Sequence, residues 1–334
     1  MSASPAPRAV ILGCAGLRLS TSERQLFQAG QPWGAILFAR NIDTPAQVTA
    51  LTSELRDVTG RDLPILIDQE GGRVQRMRQP HWREWPPALE QSLRADDPAR
   101  AMFLRGRLIA AELLECGITV NCAPMADIAT PTTHSVLYNR CYGMDLATVR
   151  MTARAMADGL MEGGVLPVLK HIPGHGRATL DSHTHLPQIH ATRQTLTAED
   201  FAAFRALRDL PLGMTAHLVF SQIDPGAPAT HSERIISLIR DEIGFDGLLM
   251  TDDISMQALN GTVTQRAELA LAAGCDLVLH CNGDMDEMAA LIEICPRLTG
   301  HALQRSEHAI AARTAPRPVD NEALYREYQL LLSS

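Results

Sequence analysis

Four of the chain's twelve histidines fall within one short stretch, KHIPGHGRATLDSHTHLP, at residues 170–187. The same stretch contains Lys170 and Asp181, so it brings amine, carboxylate and imidazole groups close together in sequence. Imidazole serves both as a metal ligand and as a proton carrier near neutral pH, which gives two functional interpretations. A polar loop without chemistry is the third.

The spacing of these histidines argues against a metal site. Successive histidines are four, eight and two positions apart, and the intervening segment contains Pro173, Gly174 and Gly176. Such a segment cannot form one helix, whereas compact zinc sites often present ligands from one helix face, as in H-E-x-x-H. We therefore expect no metal and no other cofactor.

Asp181 and His183 form a more specific pattern, D-x-H. A carboxylate beside an imidazole orients the ring and favours its protonated form, so the ring can act first as an acid and then as a base. We interpret this pair as an acid–base dyad on a loop. His185 and His190 are interpreted as solvated or structural loop residues.

The surrounding sequence predicts a barrel that would position this loop. Several helical patterns end at glycine, a residue that readily adopts the left-handed conformation of a helix terminus. Eight strands followed by helices are typical of a (β/α)8 barrel, whereas a doubly wound sheet would need G-x-G-x-x-G after its first strand. We predict one domain over residues 1–334, with a helical extension from about 297. The predicted strands are 9–14, 35–38, 64–67, 119–123, 167–171, 213–219, 247–251 and 277–280.

A barrel places its active site at the carboxyl ends of the strands. Charged or polar residues end five of the predicted strands, where an unpaired buried charge would otherwise be costly. They are Asp68, Asn121, Lys170, His171, His217, Asp252 and Asp253.

Composition excludes several classes of protein. The formal net charge of −8 and the lack of a Lys/Arg-rich run argue against a nucleic-acid partner. No segment approaches 18 uninterrupted apolar residues, and the N-terminus does not resemble a secretory signal, so we expect no membrane association. Seven scattered cysteines without a C-x-x-C pair predict reduced thiols in a cytoplasmic protein.

Four motifs, KHIPGHG…DSH, IDQEGGRVQR, NRCYG and TDDISM, together resemble the β-N-acetylhexosaminidases of glycoside hydrolase family 3. The resemblance extends from about residue 13 to residue 282 and is closest to the short bacterial enzymes of peptidoglycan recycling. The sequence departs from the family at NRCYG, where Cys141 and Tyr142 replace a pattern nearer RSFG or RSYG. The resemblance implies a (β/α)8 barrel, removal of terminal β-GlcNAc with retention of configuration, and no metal.

The resemblance also implies roles for individual residues. Asp252 matches the nucleophile, His183 the acid/base and Asp181 its orienting partner. Asp253 is interpreted as a hydrogen-bonding acid behind the site or a helix N-cap, and Gly71 and Gly72 as a sharp turn beside the sugar. The expected sugar-binding residues are Asp68, Arg76, Arg140, Lys170 and His171, with His217 lining the pocket near Asp252.

The expected substrate is a muropeptide, such as GlcNAc-1,6-anhydro-MurNAc with or without peptide, or a chitooligosaccharide, and we expect a monomer. Three alternatives remain open from the sequence. Phosphate could replace water as the acceptor, because a histidine repels phosphate less than a carboxylate does. A class I aldolase would use Lys170 as a Schiff-base lysine. A non-catalytic sugar sensor would be expected to lose the nucleophile or the dyad, which this chain retains.

Overall fold

The structure, a computed structural model, describes residues 5–182 and 184–333 of the chain. Eight parallel strands form a closed barrel. They are β1 (Arg8–Gly13), β2 (Pro32–Leu37), β3 (Ile65–Ile67), β6 (Val120–Asn121), β7 (Leu166–Ile172), β9 (Leu212–Thr215), β11 (Leu248–Asp253) and β12 (Leu277–His280). Their order around the barrel is β1-β12-β11-β9-β7-β6-β3-β2. The predicted (β/α)8 barrel is therefore confirmed.

Two accessory strand pairs lie outside the barrel. An antiparallel hairpin joins β4 (Gln69–Gly71) to β5 (Val74–Gln75), and a parallel pair joins β8 (Gln188–Ile189) to β10 (Val219–Phe220). The second pair explains why the predicted strand 213–219 was too long. Its barrel portion ends at Thr215, and the chain then leaves the barrel to pair with residues that follow the histidine-rich loop.

In the part of the chain that the structure describes, thirteen α-helices surround the barrel, and a π-helical segment at Leu238–Ile243 continues the short helix Glu233–Ser237. Asp, Ser or Thr side chains cap many of their amino termini, as Thr44, Asp97 and Asp145 do, because these side chains accept the otherwise unpaired backbone N–H groups. The helices are α1 (Thr21–Gly30), α2 (Pro45–Thr59), α3 (Ala88–Arg94), α4 (Pro98–Glu115), α5 (Ser135–Tyr138), α6 (Leu146–Glu162), α7 (Arg193–Ala198), α8 (Asp200–Arg205), α9 (Glu233–Ser237), α10 (Val263–Ala273), α11 (Met285–Ile294), α12 (Gly300–Ala311) and α13 (Asn321–Leu331).

Apolar residues on the strands form two cores. Alternate side chains point inward and fill the barrel, as Ile11, Val168 and Met250 do, while their neighbours point outward and pack against the helices. Because both faces of each strand are buried, the strands read as nearly continuous apolar runs. A polar residue at a strand end is therefore a departure from this pattern.

Helix α12 closes the amino-terminal end of the barrel. Leu298 and Ala309 belong to the interior core, and Nε1 of Trp33, on β2, donates to Oγ of Ser306 over 2.7 Å. Helix α13 packs on α3 and α4, where the Tyr328 hydroxyl donates to Oε1 of Gln91 over 2.8 Å. Across the described ranges, no helix combines the length and apolar character needed to cross a membrane.

Candidate active site

A cavity of about 260 Å³ lies at the carboxyl end of the barrel. The carboxyl ends of β3, β7 and β11 contribute its charged lining, together with the hairpin and the loop that follows β7. Seven of the nine residues predicted as catalytic or substrate-binding line this cavity. They are Asp68, Arg76, Arg140, Lys170, His171, Asp181 and Asp252.

Lys170 lies at the centre of a buried charge cluster. Its Nζ is 3.0 Å from Oδ1 of Asp68 and 2.5 Å from Oε1 of Glu70. Glu70 also accepts two hydrogen bonds from the Arg140 guanidinium, at 2.9 and 2.8 Å, and Arg76 donates to Asp68 over 3.1 Å. Two carboxylates and three cations thus form one connected network.

The network fixes the charge of each member. Burial opposes ionisation of Asp68, yet Lys170 and Arg76 hold the pKa of its carboxyl well below the usual range. Burial likewise disfavours the Glu70 carboxylate, but Arg140 and Lys170 lower its pKa to about 2. Burial also opposes charge on Lys170, and the two carboxylates outweigh it and raise the amine pKa above its ordinary value. A Schiff-base lysine needs the opposite shift, so this environment disfavours aldolase chemistry.

The hairpin β4–β5 brings Asp68 and Arg76 together. The Asn121 side chain, at the end of β6, accepts from the Gln69 backbone N–H over 3.0 Å and donates to the Gln69 carbonyl over 3.1 Å. Gly71 has φ of +111°, and a Cβ there would lie 1.8 Å from Nη2 of the buried Arg105. The glycine is therefore required by backbone conformation and by space, and Asn121 secures the hairpin from behind the site.

Asp252 faces His171 across the cavity floor. Nε2 of His171 lies 4.0 Å from Oδ2 of Asp252, and Nδ1 of His171 lies 2.8 Å from Oδ2 of the buried Asp127. Burial opposes ionisation of Asp252, but His171, His217 and the Asp253 backbone N–H lower the pKa of its carboxyl. Asp252 is therefore a carboxylate at neutral pH.

Asp253 lines the cavity next to Asp252, whereas His217 is not among the lining residues. The Asp253 carboxylate accepts from the backbone N–H and hydroxyl of Ser255, at 3.0 and 2.6 Å, and from the Cys281 N–H at 3.2 Å. His217 is fully buried, with Nδ1 2.7 Å from Oγ1 of Thr230 and Nε2 3.1 Å from the Asp253 carbonyl oxygen. Both ring nitrogens of His217 thus already have protein partners.

The loop after β7 carries the predicted dyad. Asp181 is half-buried and lines the cavity beside Ser182, whereas His183 lies outside the described residues. His185 and His190 are exposed and are not among the cavity-lining residues; their Nδ1 atoms lie 2.9 Å from Oγ1 of Thr184 and 3.1 Å from Oγ of Ser221. In residues 5–182 and 184–333, no three His, Cys, Asp or Glu side chains form a group suited to a metal ion.

Sequence reasoning assigned no role to two buried acids of this site. Glu70 is only two positions from Asp68 in the same motif, and this short spacing could have indicated that it belongs to the site. Asp127 lies six residues after β6. Its carboxylate accepts hydrogen bonds from the backbone N–H groups of His171 and His175 and contacts Nδ1 of His171, and no local sequence pattern predicts these contacts. Both acids hold other functional groups in place.

Three comparisons bear on the identity of this site. The profile of the Glycosyl hydrolase family 3 N terminal domain matches residues 10–311. A β-hexosaminidase of Alkalilimnicola ehrlichii is 38% identical over 281 residues, covering 82% of this chain and 80% of the relative. Native NagZ from Neisseria gonorrhoeae superposes with a TM-score of 0.85 at 30% identity, covering 98% of this chain and 97% of that one. A family 3 β-N-acetylglucosaminidase from Paenibacillus sp. gives a TM-score of 0.82 at 30% identity, covering 97% of this chain and 67% of that one.

Proposed function

The chain belongs to glycosyl hydrolase family 3 and is a β-N-acetylhexosaminidase, and from that premise we propose that it removes terminal β-GlcNAc from peptidoglycan fragments with retention of configuration. The observation that carries the proposal is the ionised Asp252 at the floor of a cavity whose wall is the Lys170 charge cluster. A carboxylate nucleophile facing a polar sugar-sized cavity is the arrangement that retaining glycosidases need.

In the proposed first step, an Asp252 carboxylate oxygen attacks the anomeric carbon while the bond from that carbon to the leaving oxygen breaks. His183 gives its proton to the departing oxygen, so the aglycone leaves as a neutral alcohol. In the second step, water attacks the glycosyl-enzyme, its proton passes to His183, and the Asp252 carboxylate is regenerated. Asp181 keeps the His183 ring oriented in both steps.

The charge cluster accounts for sugar binding. The Asp68 carboxylate can accept hydroxyl hydrogen bonds, and Arg76 and Lys170 can donate to the same ring. Because Glu70 and Asp68 keep Lys170 protonated, its role is a fixed cation that holds hydroxyls. Arg140 is held on the same wall by Glu70.

The function is tested by turnover of an aryl β-N-acetylglucosaminide, with and without chelator, and of GlcNAc-1,6-anhydro-MurNAc. We expect activity on both substrates, unchanged by EDTA. Proton NMR during turnover should show that the β-anomer of GlcNAc is the first anomer released. Release of the α-anomer would contradict the Asp252 mechanism. Recovery of GlcNAc-1-phosphate in phosphate buffer would identify the enzyme as a phosphorylase, and loss of activity on chelation would overturn the dyad.

A further inference from the structure

His175 lines the active-site cavity, yet the mechanism above gives it no role. The residue is 2% exposed. Within residues 5–182 and 184–333, neither ring nitrogen has a hydrogen-bond partner. A buried polar group without a protein partner costs free energy unless water or a ligand satisfies it. The partners of this imidazole must therefore come from the contents of the cavity.

The position of the ring is fixed beside the nucleophile. The His175 backbone N–H donates to Oδ1 of Asp127 over 2.6 Å, and its ring meets the His171 ring edge-on with centroids 5.3 Å apart. Because His171 is in turn 4.0 Å from Asp252, only one residue separates the His175 ring from the proposed nucleophile.

The environment keeps this imidazole uncharged. Burial, and next the neighbouring His171, lower its pKa to about 3. A neutral imidazole has one N–H donor and one nitrogen acceptor. At neutral pH His175 therefore cannot form an ion pair, and in this respect it differs from the charged residues of the Lys170 cluster.

Apolar side chains line the cavity near His175. Helix α5 contributes Val136 and Leu137 to the lining. The segment that begins this helix runs beside the residues after His175, since Thr133 donates through its hydroxyl to the Gly176 carbonyl and the His134 N–H donates to the Ala178 carbonyl. A neutral donor–acceptor group and apolar side chains thus occur together.

We propose that His175, with Val136 and Leu137, recognises the acetamido arm of the bound sugar and so selects N-acetylated substrates. This inference rests on the proposed function. An amide offers one N–H and one carbonyl, which complement the two nitrogens of a neutral imidazole, and its methyl group suits the apolar side chains. The acetamido arm is attached to the carbon next to the anomeric one, and His175 is linked to Asp252 through a single residue, His171.

The test compares two substrates that differ only in this arm, a dinitrophenyl β-N-acetylglucosaminide and the matching β-glucoside. His175→Phe keeps the ring but removes both hydrogen-bonding atoms, and we expect kcat/KM for the N-acetylated substrate to fall about 10- to 100-fold. The value for the glucoside should stay within about threefold of wild type. His175→Gln, which keeps a donor and an acceptor, should recover part of the loss, and the exposed His190→Gln should change neither value.

A second measurement does not depend on the variants folding. In the wild-type enzyme, the imidazole ¹⁵N resonances of His175 should move on saturation with GlcNAc and stay in place with glucose. Equal losses on both substrates, no loss on either, or unchanged resonances with GlcNAc would overturn the inference. A wild-type enzyme inactive on the N-acetylated substrate would instead contradict the proposed function.

Discussion

Nε2 of His171 lies 4.0 Å from Oδ2 of Asp252, while the opposite ring nitrogen is held 2.8 Å from Oδ2 of Asp127. The three side chains form a row that begins at a buried carboxylate and ends at the proposed nucleophile. Burial alone would raise the pKa of both carboxyls. His171 is the main group that lowers it in each case, with help from His175 at Asp127 and from His217 at Asp252, so the pKa of both carboxyls lies below its ordinary value. His171 is therefore positioned by one acid and favours the ionised form of the other.

The two adjacent acids at the end of β11 should differ in function. We predict that Asp252→Ala folds but loses about a thousandfold or more in kcat, since the covalent step has no nucleophile. Asp253→Asn should keep activity within about a hundredfold and should instead unfold at lower denaturant, because its carboxylate ties Ser255 to Cys281. Steady-state kinetics and urea denaturation check both. If Asp252→Ala were more active than Asp253→Asn, the assignment of Asp252 as the nucleophile would be wrong.

The role of His183 can be read from leaving groups. His183→Ala should suffer most on substrates whose leaving group is another sugar, because that oxygen needs a proton in the transition state. An aryl glycoside with an acidic phenol should react nearly normally in the first step, and azide, which needs no deprotonation, should restore part of the turnover. Asp181→Asn should show a milder form of the same defect. If activity fell equally on both substrate types and azide restored none of it, His183 would not be the acid/base and would only shape the loop.

Lys170 should matter for binding and stability but not for proton transfer. In Lys170→Met, all substrates should lose kcat/KM alike, whatever their leaving group. The free energy of unfolding should fall by about 3–5 kcal/mol, because Asp68 and Glu70 lose a buried counter-ion. Arg78→Met is the matched control, since Arg78 pairs with Glu84 at the surface and such pairs contribute about 0–1 kcal/mol. Equal stability of the two variants would contradict the buried network.

The neutral His175 should leave a mark on the pH dependence of stability. Its pKa is about 3 in the fold against 6.5 as the ordinary value, so the unfolded chain binds this proton first as the pH falls. In wild type this group should therefore lower the free energy of unfolding between about pH 6.5 and 3, by up to about 1.4 kcal/mol per pH unit. The charged or titratable groups around it are His171, Asp127, Asp252 and Arg140.

Denaturation series at several pH values check this expectation. His175→Phe removes the group, so its stability should fall less steeply than wild type over that window. The exposed His190→Gln should retain the wild-type slope. Identical slopes for wild type and His175→Phe would mean that the folded protein already carries a proton on His175 in this range.

The cysteines should be chemically silent in the native state. All seven are buried and free, and burial raises the pKa of each thiol, to about 12 for Cys275 and Cys295. Because the thiolate is the reactive form, Ellman's reagent at pH 8 should label the folded enzyme slowly and release seven equivalents after unfolding in guanidinium. Rapid native labelling would identify an accessible, ionised thiol.

The sequence predicted the barrel because its strands carry a strong local signal, and the predicted strand 277–280 coincides with the observed Leu277–His280. It also predicted the residues at the strand ends, since a charge after an apolar run is conspicuous. It could not assign Asp127, whose role depends on contacts made 44 and 48 positions later in the chain. The partners of His217 could not be predicted for a related reason, because only the folded chain brings Oγ1 of Thr230 and the Asp253 carbonyl oxygen within hydrogen-bonding distance of its ring nitrogens.

The closure of the barrel by α12 has a consequence for the order of events in catalysis. Packed side chains fill the interior below the cavity, and Trp33 ties α12 across the far end, so substrate, water and both products share one mouth. In the proposed two-step reaction the aglycone must leave through that mouth before water can follow it inward, and the sugar departs last. Free GlcNAc then competes directly with substrate for the empty enzyme, whereas the aglycone rebinds only to the glycosylated form and gives a noncompetitive pattern.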